Sequence, residues 1–199
     1  MSSSGKLIVL SGPSGAGKGT LCQSLRDAMP ELQYSVSITT RAPRVGEIDG
    51  INYYYIGKEK FEQMLRDNEL LEWAQVYDNY YGTPKKQVMD VLEQGQDIIL
   101  EIDIQGAMQI KKQFPQGVFI FIVPPSISEL EERITKRGTD SAEAIKKRLS
   151  CVSEELSYVT EYDYVIVNDT IESAIEKLKA IIIAEKCRPH RKTMEGLRE

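Results

Sequence analysis

Four short apolar runs punctuate the chain, and amphipathic stretches fill the intervals between them. Leu7–Leu10, Ile98–Leu100, Val118–Val123 and Tyr164–Val167 are apolar at nearly every position, as in strands buried on both faces. Segments 17–28, 84–94, 105–113, 127–137, 141–158 and 171–186 read instead as candidate helices. Gly95 is placed to stop the second of these helices, and Thr170 to cap the start of the last. Strands alternating with helices predict an α/β fold around a parallel sheet, with ligands gathered at the carboxyl ends of its strands.

Two segments break the alternation. Residues 34–83 hold most of the ten tyrosines and two short alternating runs, Tyr34–Thr40 and Asn52–Ile56. They predict a small, mixed, mostly antiparallel insertion. Residues 126–155 are dense in charge and carry Arg133, Arg137 and Arg148 on helical stretches around the turn Gly138-Thr139-Asp140. A polar helical hairpin of this kind reads as a lid. The expected layout is one domain over 1–199, with core segments 5–33, 84–125 and 156–190, the insertion at 34–83 and the lid at 126–155.

Directly after the first apolar run comes Gly12-Pro13-Ser14-Gly15-Ala16-Gly17-Lys18-Gly19-Thr20. A strand that runs into a glycine-rich turn, a lysine and a helix is suited to holding the phosphates of a nucleotide. The glycines let backbone N–H groups curl around phosphate oxygens, Lys18 reaches the outer phosphates, and the helix presents its positive end. The pattern is a variant, because Gly19 stands where Ser or Thr usually follows the lysine and Thr20 comes next. Thr20 is the candidate Mg²⁺ contact, either directly or through a water.

Composition narrows the partners. A net charge of −5 argues against general nucleic-acid binding, so an anionic substrate must be met by local cationic clusters. Arg41 with Arg44 and Arg133 with Arg137 and Arg148 are two such clusters, and the tail Cys187–Lys192 reads as a solvated third. His190, the only histidine, lies in that tail and is a poor catalytic candidate. Cys22, Cys151 and Cys187 are odd in number and lack metal-ligand spacing. With no signal-peptide pattern and no apolar run near the ~20 residues of a membrane span, the cytoplasm is the expected compartment and no membrane partner is expected.

Further motifs follow in order: Ser37-Ile38-Thr39-Thr40-Arg41-Ala42-Pro43-Arg44, Gly46-Glu47, Asn52-Tyr53, Glu72-Trp73-Ala74, Tyr80-Tyr81-Gly82-Thr83 and Glu101-Ile102-Asp103-Ile104-Gln105-Gly106. With the phosphate loop, this series closely resembles guanylate kinase, from Leu7 to about Ile183. The resemblance implies a P-loop NTPase-type core and transfer of the ATP γ-phosphoryl to GMP, with dGMP as a further expected acceptor and the preference between them open, in a lid-closed site that needs Mg²⁺. It also implies roles. Arg41, Arg44, Tyr53 and Tyr81 match residues that grip the GMP phosphate. Glu101 and Asp103 fall near the arginines, the guanine and the Mg²⁺ waters, although some family members carry Asp where this chain has Glu101. Arg137 and Arg148 would arrive with the lid to neutralise the moving charge, Arg133 would orient the ATP phosphates, and Asn168-Asp169 would meet adenine.

The residues also support parts of this reading by themselves. Guanine presents donors at N1 and N2 and an acceptor at O6. The carboxylate of Glu72 can take both donors while the hydroxyls of Ser37 and Thr83 donate to O6. Adenine would leave Glu72 repelled and unpaired. A helix cap or ion pair is the alternative for Glu101 or Asp103, and a strand-ending turn is the alternative for Asn168-Asp169. Monomer and homo-oligomer both stay open. A non-enzymatic interaction module and another small phosphate-loop kinase, acting on AMP or a sugar phosphate, are the rival readings. The first conflicts with the intact Lys18 loop, the second with Glu72, Ser37 and Thr83.

Overall fold

In a computed structural model, residues 5–76, 78–136 and 142–188 are described, with the side chains of 142–148 outside that set. The four apolar runs become β1 (Leu7–Ser11), β7 (Ile98–Glu101), β8 (Val118–Val123) and β9 (Tyr164–Val167), which β2 (Gln33–Ser35) joins at one edge. All pairings are parallel, in the order β2-β7-β1-β8-β9.

Alternation along each strand divides the core into two layers. Ile8, Leu10, Ile99, Ile120 and Ile122 face α1 (Lys18–Ala28) and α7 (Ile171–Lys186) through Leu21, Leu25, Ala174, Leu178 and Ile182. Leu7, Val9, Ile98, Leu100, Phe119 and Phe121 face α3 (Lys85–Glu93) and α4 (Ile104–Gln113) through Val88, Leu92, Ala107 and Ile110. The strands read as continuous apolar runs because each face has its own helical cover. β9 is the exception. As an edge strand it leaves Val165 and Val167 exposed, although its sequence pattern predicts burial on both faces.

A second sheet, β4-β3-β6-β5, is built from β3 (Ile38–Thr39), β4 (Tyr54–Tyr55), β5 (Leu70–Val76) and β6 (Asn79–Pro84). Its β3–β6 and β5–β6 pairs are antiparallel and its β3–β4 pair is parallel. Phe61, on α2 (Lys58–Arg66), is fully buried with Ile38 and Leu70 as a separate small core. The run Tyr34–Thr40, expected as one alternating stretch of the insertion, is divided. Its start pairs with β7 in the parallel sheet, and Ile38–Thr39 belongs to the second sheet. Alternation alone does not reveal which neighbour a strand takes.

The charged hairpin forms α5 (Ile127–Lys136) and α6 (Ala142–Ser157), which pack through Leu130, Ile134 and Val152. Gly95 has φ 76° just past α3, and Thr170 caps α7 by accepting from the Ser173 amide at 3.3 Å, as their positions predict.

Candidate active site

The loop between β1 and α1 has the conformation its glycines allow. Gly17 has φ 91°, and a Cβ there would lie 2.4 Å from the Asn168 carboxamide. A Cβ on Gly12 would lie 2.2 Å from the Ile122 carbonyl oxygen. Any side chain at either position forces the loop apart. Pro13 and Ala16 are buried within it, and the Ala16 amide closes the turn on the Pro13 carbonyl at 3.2 Å. Asn168, at the end of β9, donates from Nδ2 to the Ala16 carbonyl at 2.8 Å, tying the loop to the sheet.

Lys18 opens α1 and folds its ammonium back onto its own loop. Nζ donates to the carbonyls of Gly12 at 2.6 Å and Pro13 at 3.1 Å. Burial lowers the lysine's pKa, opposed by the carboxylates of Glu101, Glu155 and Asp103 around it. A lysine parked on carbonyls and ringed by acids is a cation waiting for a stronger anion.

A cavity of about 230 Å³ joins this loop to the second sheet. Gly12, Ser14, Gly15, Gly17, Lys18 and Gly19 line one end; Ser37, Arg44, Tyr53, Glu72 and Tyr81 line the other. Glu101 and Asp103, at and just beyond the carboxyl end of β7, stand between them, where an open parallel sheet places its ligands. The residues expected to meet phosphates and those expected to meet a base thus share one space.

At the base-reading end, Glu72 lies on β5 opposite Thr83 on β6 and is only 5% exposed. Thr83 Oγ1 donates to Glu72 Oε1 at 2.5 Å. Burial pushes the Glu72 carboxyl up to about 8; the Thr83 hydrogen bonds oppose the rise and the nearby Asp103 carboxylate adds to it. Asp103 caps α4, accepting from the Gly106 amide at 2.7 Å through Oδ1, while its Oδ2 is buried without a partner. Capping is therefore one of its functions. Gly106 has no room for a side chain, since a Cβ would sit 2.3 Å from Glu72 Oε2.

Arg41 and Arg44 diverge. Arg41 forms a bidentate pair with Glu47, at 2.9 Å from Nη1 to Oε2 and 2.9 Å from Nη2 to Oε1, and lies near the Tyr53 and Tyr55 rings. Glu47 also accepts from the Arg44 amide at 2.7 Å and the Tyr55 hydroxyl at 2.8 Å. Burial works against the charge on Glu47, yet these partners hold its pKa down to about 2. The Arg44 side chain makes no ion pair among the described residues and lines both the main cavity and a neighbouring cleft of about 500 Å³. Tyr53 stacks edge-on against Tyr81 at 5.9 Å.

A third cleft, of about 440 Å³, is lined by Gly15, Gly17, Thr20, Arg133, Asn168 and Asp169. Arg133 Nη2 donates to Glu129 and, at 3.0 Å, to the Asn168 main-chain carbonyl. Asp169 Oδ1 accepts from the Thr170 amide at 2.8 Å, so the strand-ending turn is present. Thr20 is exposed and borders both outer clefts. Arg137 lies outside the described residues, and so does the side chain of Arg148 on α6.

Two residues escaped the sequence reading. Glu47, within a quoted motif but given no role, organises Arg41. Glu155, on α6, lines the main cavity beside Lys18. For Glu47 the signal was an acid close behind two arginines; for Glu155 there was none in a helix dense in charge.

Comparison with known proteins agrees with this geometry. The family model described as guanylate kinase matches residues 4–185. A guanylate kinase of Desulfitobacterium hafniense is 60% identical over 188 residues, 94% of this chain and 94% of the relative. One of Carboxydothermus hydrogenoformans is 58% identical over 187 residues, 94% of this chain and 92% of the relative. Among solved structures, guanylate kinase from Anaplasma phagocytophilum is similar at TM-score 0.79 and 36% identity, covering 94% of this chain and 88% of that one.

Proposed function

The chain belongs to the guanylate kinase family, and we propose how its residues carry out phosphorylation of GMP by ATP, giving ADP and GDP. The observation that carries the reading is the single cavity with Lys18 and its loop at one end and Glu72 with Ser37 at the other.

The residues Gly12 to Thr20 hold the ATP phosphates on backbone amides, and Lys18 leaves the Gly12 and Pro13 carbonyls to meet them. Adenine takes the cleft beside Asn168 and Asp169, with Arg133 near the phosphates. GMP lies across the second sheet, its base on Glu72 and Ser37 and its phosphate against Arg44, Arg41, Tyr53 and Tyr81; Thr83, expected to meet the base, is fully buried and its hydroxyl donates to Glu72 instead. dGMP is expected to use the same contacts, because those assigned go to the base and the phosphate and not to the ribose. An oxygen of the GMP phosphate attacks the γ-phosphorus in line, and the bond to the β–γ bridging oxygen breaks. That oxygen is already anionic, so no general base is needed, and catalysis is alignment and charge stabilisation. Arg137 and Arg148 supply part of that stabilisation as the α5–α6 hairpin closes over the nucleotides and excludes water.

Mg²⁺ suits the oxygen donors here. Thr20 is exposed at the loop's edge, and the Glu101 carboxylate lies beside Gly19, next to it in the chain. Thr20 and Glu101 would hold the ion or its waters, which when bound neutralises phosphate charge. The compartment we assign is the cytoplasm. Cys22, Cys151 and Cys187 are free thiols, and among the described residues no helix is long and apolar enough to cross a membrane.

A coupled assay with ATP and GMP, dGMP, AMP or UMP tests the assignment. GMP and dGMP should turn over, with AMP disfavoured by about 10⁴-fold in kcat/KM. Preference for AMP overturns the base assignment, and no turnover with any acceptor favours the interaction-module reading.

A further inference from the structure

The helices α5 and α6 rest directly on the phosphate loop at two points. The first is apolar: a Cβ on Gly15 would lie 2.7 Å from Ile134 Cγ1 and 2.9 Å from Leu130 Cδ1, so α5 packs onto the bare loop backbone. The second is charged. The Glu155 carboxylate of α6 stands among the loop's own Ser14 and Lys18, where burial pushes its pKa up and the nearby Lys18 ammonium opposes the rise. Its Oε2 is buried without a hydrogen-bond partner, and the residue lines the nucleotide cavity. Val152 and Leu156, on the same helix, join Leu130 and Ile134 in one apolar cluster, so the two contacts move as a unit.

A phosphate loop is a ring of amides prepared for anionic oxygen. In this structure a carboxylate of the protein already lines the same cavity as those amides, beside the lysine that is to receive the phosphates. A triphosphate entering the loop brings several negative charges to the same space and the same ammonium. It cannot share them with the Glu155 carboxylate without strong repulsion.

We propose that Glu155 is a positioning residue that stands in for phosphate on the empty loop and is displaced when nucleotide arrives, linking donor binding to the position of the α5–α6 pair. The inference rests on the reading of residues 12–20 as the ATP phosphate site. In the empty protein Glu155 neutralises Lys18 and holds α6 down; displacement frees the helix pair to take its place over the bound nucleotide.

Inorganic tripolyphosphate is the probe, since it carries the charge of the donor without base or sugar. Titration calorimetry would compare the full chain with Glu155→Gln, which keeps the size but removes the charge. The variant should bind tripolyphosphate about tenfold more tightly, because no anion has to leave. Hydrogen exchange supplies a second reading on the unaltered protein. Amides of α6 between 149 and 157 should exchange faster once tripolyphosphate binds. A folded variant that binds the probe no more tightly than wild type, or α6 amides indifferent to the probe, overturns the proposal. No binding of tripolyphosphate by wild type would overturn the phosphate-loop reading as well, which separates the two failures.

Discussion

The two ends of the cavity bind anions by different means. At the loop of Gly12 to Thr20 the ligand-facing groups are mostly backbone, and the surrounding residues fix the path of the chain: Asn168 on Ala16, Ile122 against Gly12 and Ile134 against Gly15. At the second sheet the ligand-facing groups are side chains, held by other side chains: Arg41 by Glu47, Glu72 by Thr83 and Tyr53 by Tyr81. A backbone site recognises a phosphate wherever one occurs. A side-chain site can distinguish one base from another, and each of its members depends on a neighbour's protonation and rotamer.

Removing the lysine of the donor end should produce the largest effect. Lys18→Ala takes away the ammonium seated on the loop and should reduce kcat by roughly 10³-fold or more, as loss of a transition-state charge donor does. The melting temperature should change little, since the loop keeps its glycines and its Asn168 tie. Steady-state kinetics and a thermal melt would check both, and near-normal turnover would deny Lys18 its role.

Glu72→Gln attacks the acceptor end and sharpens the contrast. The amide offers guanine one acceptor and one mismatched donor, so kcat/KM for GMP should fall by roughly 10²–10³-fold. The KM for ATP should hold, because the donor end shares no side chain with Glu72. A parallel loss of ATP affinity would mean the two ends are not separable. Discrimination against AMP should shrink at the same time.

How much of each end was legible follows from this difference. The phosphate loop could be read at sight, because a backbone that must pass within 2.2 Å of Ile122 O, measured from a would-be Cβ, tolerates only glycine at position 12. Glu72, Ser37 and Thr83 became meaningful only as members of an ordered motif series; a single acid beside Trp73 has many other uses. The carboxylate of Glu47 and its hold on Arg41 required three dimensions, since nothing in the sequence states which way an arginine turns. The same is true of Glu155, which joins Ser14 and Lys18 around one cavity from a distant part of the chain. The strands came through well because apolar runs report double-sided cover, and β9 misled for that reason: four residues are too few to show that an edge leaves Val165 and Val167 uncovered.

Protonation distinguishes the ends on a smaller scale. Glu72 is pushed up to about 8 in the folded protein against an ordinary value of 4.5, so between those values the folded chain binds more protons than the unfolded. Its contribution to stability is therefore fully present below pH 4.5 and is lost as pH rises through about 8. GMP binding runs the other way, because the carboxylate must be ionised to accept the N1 and N2 donors. Affinity for GMP should rise about fivefold from pH 7 to pH 8 and level off about tenfold up at higher pH, with proton release on binding near neutral pH. Calorimetry in buffers of different ionisation heat would measure that proton. GMP binding with no proton transfer at pH 7 would place Glu72 among the ionised groups already, and the Gln variant should lack the pH dependence altogether.

The smallest expected effect asks whether a side-chain site needs its second layer. Glu47 takes both guanidinium nitrogens of Arg41, the Arg44 amide and the Tyr55 hydroxyl, so it shapes the turn that carries both arginines. Glu47→Gln keeps a hydrogen-bond acceptor but removes the charge that holds Arg41 in one orientation. The KM for GMP should rise severalfold while kcat and the KM for ATP stay within about twofold, the signature of lost ground-state binding. Glu47 is held down to about 2, so its charge persists through the accessible pH range and the defect should be flat from pH 5 to pH 9. A defect that varied with pH, or one that appeared in kcat, would mean that Glu47 does more than aim Arg41. The acceptor end would then depend on its supporting side chains for chemistry as well as for grip, as the donor end depends on its backbone.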